Sequence, residues 1–168
     1  MKILMVLILS CAVRGAPQDC PMHEKHMQNA GQHQADVEKH GDDAMGFPHD
    51  KTTHHFRLYS DGGAIEVTAN DNADSTNMVK IRSHLKHLAG MFSDGNFSIP
   101  MFVHDRVPPG VSVMKEQKNQ ILYLYEPTAS GGRVRIISLN ADALKAVHDF
   151  LRFQIEDHHT GDKTDISR

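Results

Sequence analysis

Thirteen of the 168 residues are histidine and nine are methionine. A neutral imidazole is the commonest metal ligand, and thioether and thiolate groups add a preference for Cu(I). All three ligand types fall together in Cys20-Pro21-Met22-His23, which is followed by His26-Met27, His33 and His40. A loose chain carrying those donors can wrap a soft ion at little geometric cost. Further along, His54, His84, His104 and His148 stand in separate stretches, so any site they build depends on the fold. Copper is the first expectation and zinc the second. A site made only of imidazoles fits Zn(II), Cu(II) or Ni(II) equally well. Haem held by His or His/Met ranks behind these, and with no C-x-x-C-H the covalent c-type attachment is excluded.

The elements that must position these rings begin near Lys51. Thr52–Tyr59 and Ala64–Ala69 alternate like strands around a Ser60-Asp61-Gly62-Gly63 turn. A helix follows from Asp71, Asp74 or Ser75 as N-cap to about Phe92, with Met78, Ile81, Leu85 and Leu88 at helical spacing. Three prolines make 96–110 read as irregular, and a short helix is expected over Val113–Gln120. Ile121–Glu126 and Arg133–Ser138 form a second hairpin around Ser130-Gly131-Gly132. A last helix starts at Asn140 or Asp142, carries Leu144, Val147, Leu151 and Ile155, and is stopped by Gly161. The order ββα, insert, ββα predicts an α+β domain, with a four-stranded, mainly antiparallel sheet and two helices on one face. The repeated Gly-Gly suggests an internal duplication.

On the first strand, His54 shares a face with Phe56 and Leu58, so it should point toward the helices, and His55 outward. His84 falls about 80° from the centre of its helix's apolar stripe. His84, His87 and Met91 share one flank at i, i+3 and i+7. His148 lies within about 40–60° of the last helix's apolar centre, with His158 on that side if the helix reaches it. Packing could therefore gather His54, His84 and His148, with His104 and Met114 closing the site from the insert. Each ring alone also fits an ordinary role as a hydrogen-bonded core or surface histidine.

The chain opens with Met1-Lys2 and about eleven mostly apolar residues, Ile3–Val13, the pattern of a secretory signal and too short for a permanent span. Cleavage after Gly15 is favoured. Lipidation at Cys11 is the alternative, and it is the only route to a membrane. Residues 16–50 are polar and read as a mobile His/Met/Cys-rich segment, with at most a marginal helix around Glu24–Lys39. Residues 51–162 are the expected domain and 163–168 a tail. The formal charge of −3 gives no footprint for nucleic acid. No G-x-S-x-G, P-loop or H-E-x-x-H is present, so catalysis has thin support.

Cys20-Pro21-Met22-His23 resembles the short motif of heavy-metal-binding segments in copper exporters. More broadly, MGF (Met45–Phe47), KTTHHFRL (Lys51–Leu58), GNFSIPM (Gly95–Met101), PPG (Pro108–Gly110) and AVHDFLRFQIEDHHTGD (Ala146–Asp162) resemble a family of small exported, histidine-rich bacterial proteins of unknown function. Some of its members carry an aspartate carbamoyltransferase label. That enzyme needs two larger α/β domains and a Ser-Thr-Arg-Thr-Arg phosphate loop, which this chain lacks. The resemblance implies export and a shared domain.

The sequence thus predicts a periplasmic or secreted transition-metal-binding protein that carries, buffers or detoxifies copper in the envelope. The expected metal ligands are His54, His84, His87, His104, His148, Met114, Cys20, Met22, His23, His26 and Met27. An envelope metal-handling protein is the expected partner, and a homodimer stays open. The alternatives are a metal-free, pH-sensitive binding module and a small metal-dependent enzyme.

Overall fold

The computed structural model describes residues 21–167, with side chains from residue 31 onward. The expected signal segment, Cys11 and Cys20 lie outside the described residues. So do the side chains of Met22, His23, His26 and Met27, whose backbone belongs to the first helix.

The order is α1 (Pro21–Met45), β1 (Thr52–Tyr59), β2 (Gly62–Ala69), α2 (Ser75–Ser93), α3 (Ser98–Val103), α4 (Val111–Glu116), β3 (Ile121–Pro127), β4 (Gly131–Ser138) and α5 (Ala141–Asp157). The strands form one antiparallel sheet, β1-β2-β4-β3. This is the α+β architecture that the alternating runs and helical stripes predict. Asp74 caps α2 by accepting from the Asn77 amide, and Asn140 caps α5 by accepting from the Asp142 and Ala143 amides.

The two ββα units interlock. The hairpins meet at β2 and β4, while α2 lies mostly over β3 and β4, and α5 chiefly over β1 and β2. Each helix therefore covers the other unit's hairpin. The repeated glycines make room for that crossing. A Cβ on Gly63 would stand 2.2 Å from Leu151 Cδ1, and one on Gly132 would stand 3.2 Å from Leu85 Cδ1. Leu85 and Leu151 occupy the same place in their helices, each eleven residues after its N-cap. The sheet's order and this matched packing support the duplication.

Two segments differ from the expectation. From Pro21 to Met45 the stretch read as mobile is one helix, and its second half is part of the body. Val37 is 1% exposed, the His40 ring lies 4.9 Å from that of Phe102, and His33 Nε2 meets Asp157 Oδ1 at 3.1 Å. One well-placed valine and side-chain ties outweigh a polar composition, so the folded body begins well before Lys51. The stretch 96–110 contains α3 despite its prolines. Pro100 sits in the first turn of α3, where a missing N–H costs nothing.

The C-terminal residues shield the free edge of β1. Asp162 Oδ2 accepts from the Phe56 amide at 2.9 Å, and the Ser167 amide donates to Leu58 O at 2.9 Å. Covering an edge in this way blocks pairing with a foreign strand.

Candidate functional site

Between α1, α2, α3, the second half of α5 and the inner sheet face lies a mainly apolar cavity of about 230 Å³. Sheet alternation delivers His54, which shares β1's inward face with Phe56 and Leu58. The edge of α2's stripe delivers His84, and α3 ends at His104. His158, the C-cap of α5, adds a further ring, and His49 sits at the rim formed after α1. Rings of His54 and His158 stack with centroids 6.3 Å apart, and His104 meets His158 edge-on at 4.9 Å.

Burial governs the protonation of these rings. Loss of water drives His54 down to about 4, helped by the neighbouring His84 and His49. Burial, with His87 nearby, takes His84 to about 4. Burial, then His104 and His54, takes His158 to about 3. All three are neutral at pH 7, which is the form that binds metal. Met45 supplies a thioether to the same cavity, with its Sδ 3.2 Å from His54 Nε2. Two donors held ~2.3 and ~2.0 Å from one ion lie that far apart at an angle of about 95°. Without an ion the contact is an N–H···S hydrogen bond.

His104 is tied down differently. Its Nδ1–H donates to Asp157 Oδ2 at 2.6 Å and its Nε2–H donates to Gln154 Oε1 at 3.0 Å, a pair of contacts to two acceptors that the ring makes with a proton on each nitrogen. Burial would raise Asp157, but hydrogen bonds from His33 and His104 outweigh it and hold the carboxyl below the usual carboxylate range. Asp157 also pairs with Arg106 at 2.5 Å. It thus binds α1 and the segment after α3 to the end of α5. With both nitrogens of His104 engaged, this dyad has no free base for acid–base chemistry.

Three of the expected ligands are not part of this cavity. His148 Nε2 shares its proton between Tyr59 O at 2.9 Å and Gly62 O at 3.0 Å, at the turn joining β1 and β2. Its counterpart is Arg82, which donates to Gly131 O, Thr128 O and Ala129 O in the other hairpin. Each stands eight residues after its helix N-cap. His148 is therefore a turn clamp, and its ring faces backbone carbonyls. His87 is exposed and borders a shallow depression with Lys86 and Met91, on a side of α2 that does not line the cavity. Met114 is fully buried in the core, where it fills space.

Among the described residues no three His, Cys, Asp or Glu side chains converge to hold a metal ion. The four-imidazole site expected from His54, His84, His104 and His148 is not assembled. Three of those rings share the cavity, and the donors set closest together are a nitrogen and a sulfur. The sequence reading missed Met45, because its segment looked too polar to pack. A signal existed in Gln34, Val37, Gly41 and Met45, which fall on one helical face. Gln154, inside α5, carried no distinguishing pattern.

The fold and the cavity define a small α+β protein with a sheltered, neutral imidazole–thioether wall. Comparison with protein-family models, curated proteins and solved structures finds no match.

Proposed function

We propose that this is an exported soft-metal-binding protein that carries or buffers copper in the envelope, with zinc as second choice. The observation that carries the reading is the Met45–His54 donor pair, 3.2 Å apart in a cavity where His84 and His158 are held neutral by burial. Thioether with imidazole favours Cu(I). His84 faces the same space and is the third donor on this reading. The cavity, about 230 Å³, is smaller than the ~300–1,000 Å³ of drug-sized pockets, which supports an ion or a small molecule over a macrocycle. The Cys20-Pro21-Met22-His23 run would capture the ion near the start of the helix that ends at Met45. Export rests on residues 1–15. Among the described residues no helix is long and apolar enough to cross a membrane. A switch that works by protonating His54, His84 or His158 within the folded cavity between pH 5 and 8 finds less support, since in the fold they titrate near 3 to 4.

The test is Cu(I) titration of the protein against a competing chelator. Met45→Leu and His54→Leu should each remove one high-affinity equivalent, with the N-terminal tract intact. X-ray absorption of the first equivalent bound by a Cys20→Ser variant should show sulfur beside nitrogen. If Met45→Leu keeps full stoichiometry and affinity, the cavity is no copper site.

A further inference from the structure

The cavity has a second end, about which the copper reading says nothing. Gln34 and Met45 both line it from α1. Eleven residues separate them, about 16 Å at 1.5 Å per residue. At the Gln34 end the wall is Val37, Ile99, Pro100, Val103 and Phe150, and the polar groups are Gln34 and Gln154 with their partners Glu38 and His104. Gln154 is 4% exposed, yet its Nε2 is buried without a partner, because its Oε1 is engaged with His104. Gln34 Oε1 is also buried without a partner. Its Nε2 donates to Glu38 Oε1 at 2.9 Å. A carboxylate only accepts, so the Gln34 amide is fixed in orientation and its carbonyl is the group left over.

Buried polar atoms in native proteins are nearly always paired, and each exception calls for an explanation. Here one unpaired acceptor and one unpaired donor belong to two residues that line the same mainly apolar cavity. A carboxamide offers the complementary set. We propose that this end of the cavity binds a small uncharged molecule with an apolar body and a terminal carboxamide. The ligand's N–H donates to Gln34 Oε1, its carbonyl accepts from Gln154 Nε2, and its body lies against Phe150 and the α3 side chains. A carboxylate of the same shape lacks the donor and brings a second negative charge near Glu38 into an apolar space. A hydrocarbon of that shape leaves both glutamine atoms unpaired.

Benzamide is the probe, with benzoate and toluene as comparators, on the full chain kept metal-free with a chelator. Copper binding and this site can therefore fail independently. Benzamide should saturate, raise the melting temperature, and shift the side-chain amide resonances of Gln34 and Gln154. It should bind at least tenfold more tightly than either comparator. Gln34→Leu, a change on a partly exposed helix face, should bring its affinity down to that of toluene, and Gln154→Leu should do the same. Benzamide no tighter than toluene, no saturable binding, or unchanged affinity in Gln34→Leu would each overturn the proposal.

Discussion

Acidification tests the cavity most directly. In the unfolded chain His54, His84 and His158 titrate near the ordinary 6.5, whereas in the fold they are held at about 4, 4 and 3. Depressed values mean that the unfolded chain binds more protons between those limits. Stability is therefore complete above about pH 6.5 and is lost as pH falls toward the folded values. At pH 5 the three rings together give a difference of about 2.7 protons, a slope of about 3.7 kcal/mol per pH unit. Integrated from pH 6.5 to 4 this is on the order of 8 kcal/mol, comparable with the whole stability of a typical domain. Below pH 5, Asp157 and Asp162, whose carboxyls are held low by hydrogen bonds from His33, His104 and the Phe56 amide, add to the loss.

The assay is urea denaturation followed by helix ellipticity at pH 7, 6, 5.5 and 5, since the chain has no tryptophan. His158→Phe keeps an aromatic ring beside Phe56 and His104 and should lower the slope at pH 5 by about one proton, or ~1.4 kcal/mol per unit. A wild-type slope below about one proton, or an unchanged slope in His158→Phe, would refute the claim that these rings are buried and neutral.

The turn clamps and glycines give two more tests. His148→Ala strands the Tyr59 and Gly62 carbonyls and should cost on the order of 2–4 kcal/mol, while Cu(I) stoichiometry, read by titration, stays the same. Arg82→Ala should lower the urea midpoint through the corresponding turn. Gly63→Ala puts a methyl 2.3 Å from Arg57 O and should cost about 2 kcal/mol or more. Gly132→Ala, whose nearest neighbours at 3.1 and 3.2 Å are the side chains of Tyr125 and Leu85, should cost under about 1 kcal/mol by the same measurement.

Periodicity made the sheet and both long helices legible, because Phe56 and Leu58, or Leu85 and Leu88, mark the buried face plainly. It also placed His54 toward the helices and His84 at the edge of its helix's apolar stripe. Periodicity could not say what an inward ring faces. His148 lies on the apolar side of α5 as expected, but there it meets two backbone carbonyls, and the helix pattern says nothing of a turn some ninety residues earlier. Met114 and Met45 carry the same chemistry and differ only in surroundings, one enclosed by core and the other beside His54. The α1 segment was illegible because a single valine anchors it among polar neighbours.

The correspondence between the two ββα halves locates the cavity. Counting from the paired glycines, His54 of β1 corresponds to Tyr123 of β3, and counting from the N-caps, His84 of α2 corresponds to Phe150 of α5. Tyr123 and Phe150 pack around Phe92, with ring centroids 5.6 and 6.0 Å from it, and fill their half of the core. Imidazoles at the matching places in the first half are smaller and polar, and the volume they leave is closed by α1 and α3. A double variant, His54→Tyr with His84→Phe, should therefore make the two halves alike. The open volume of about 230 Å³ leaves room for the added atoms, so overpacking is not expected to dominate. Removing two buried, protonatable rings should raise stability at pH 7 by about 1–2 kcal/mol and lower the acid slope by about two protons. It should also abolish the cavity copper equivalent. That combination, a more stable fold with no site, is the mark of residues kept for binding. A variant that is less stable at pH 7 and equally acid-sensitive would mean that the histidines hold the core together.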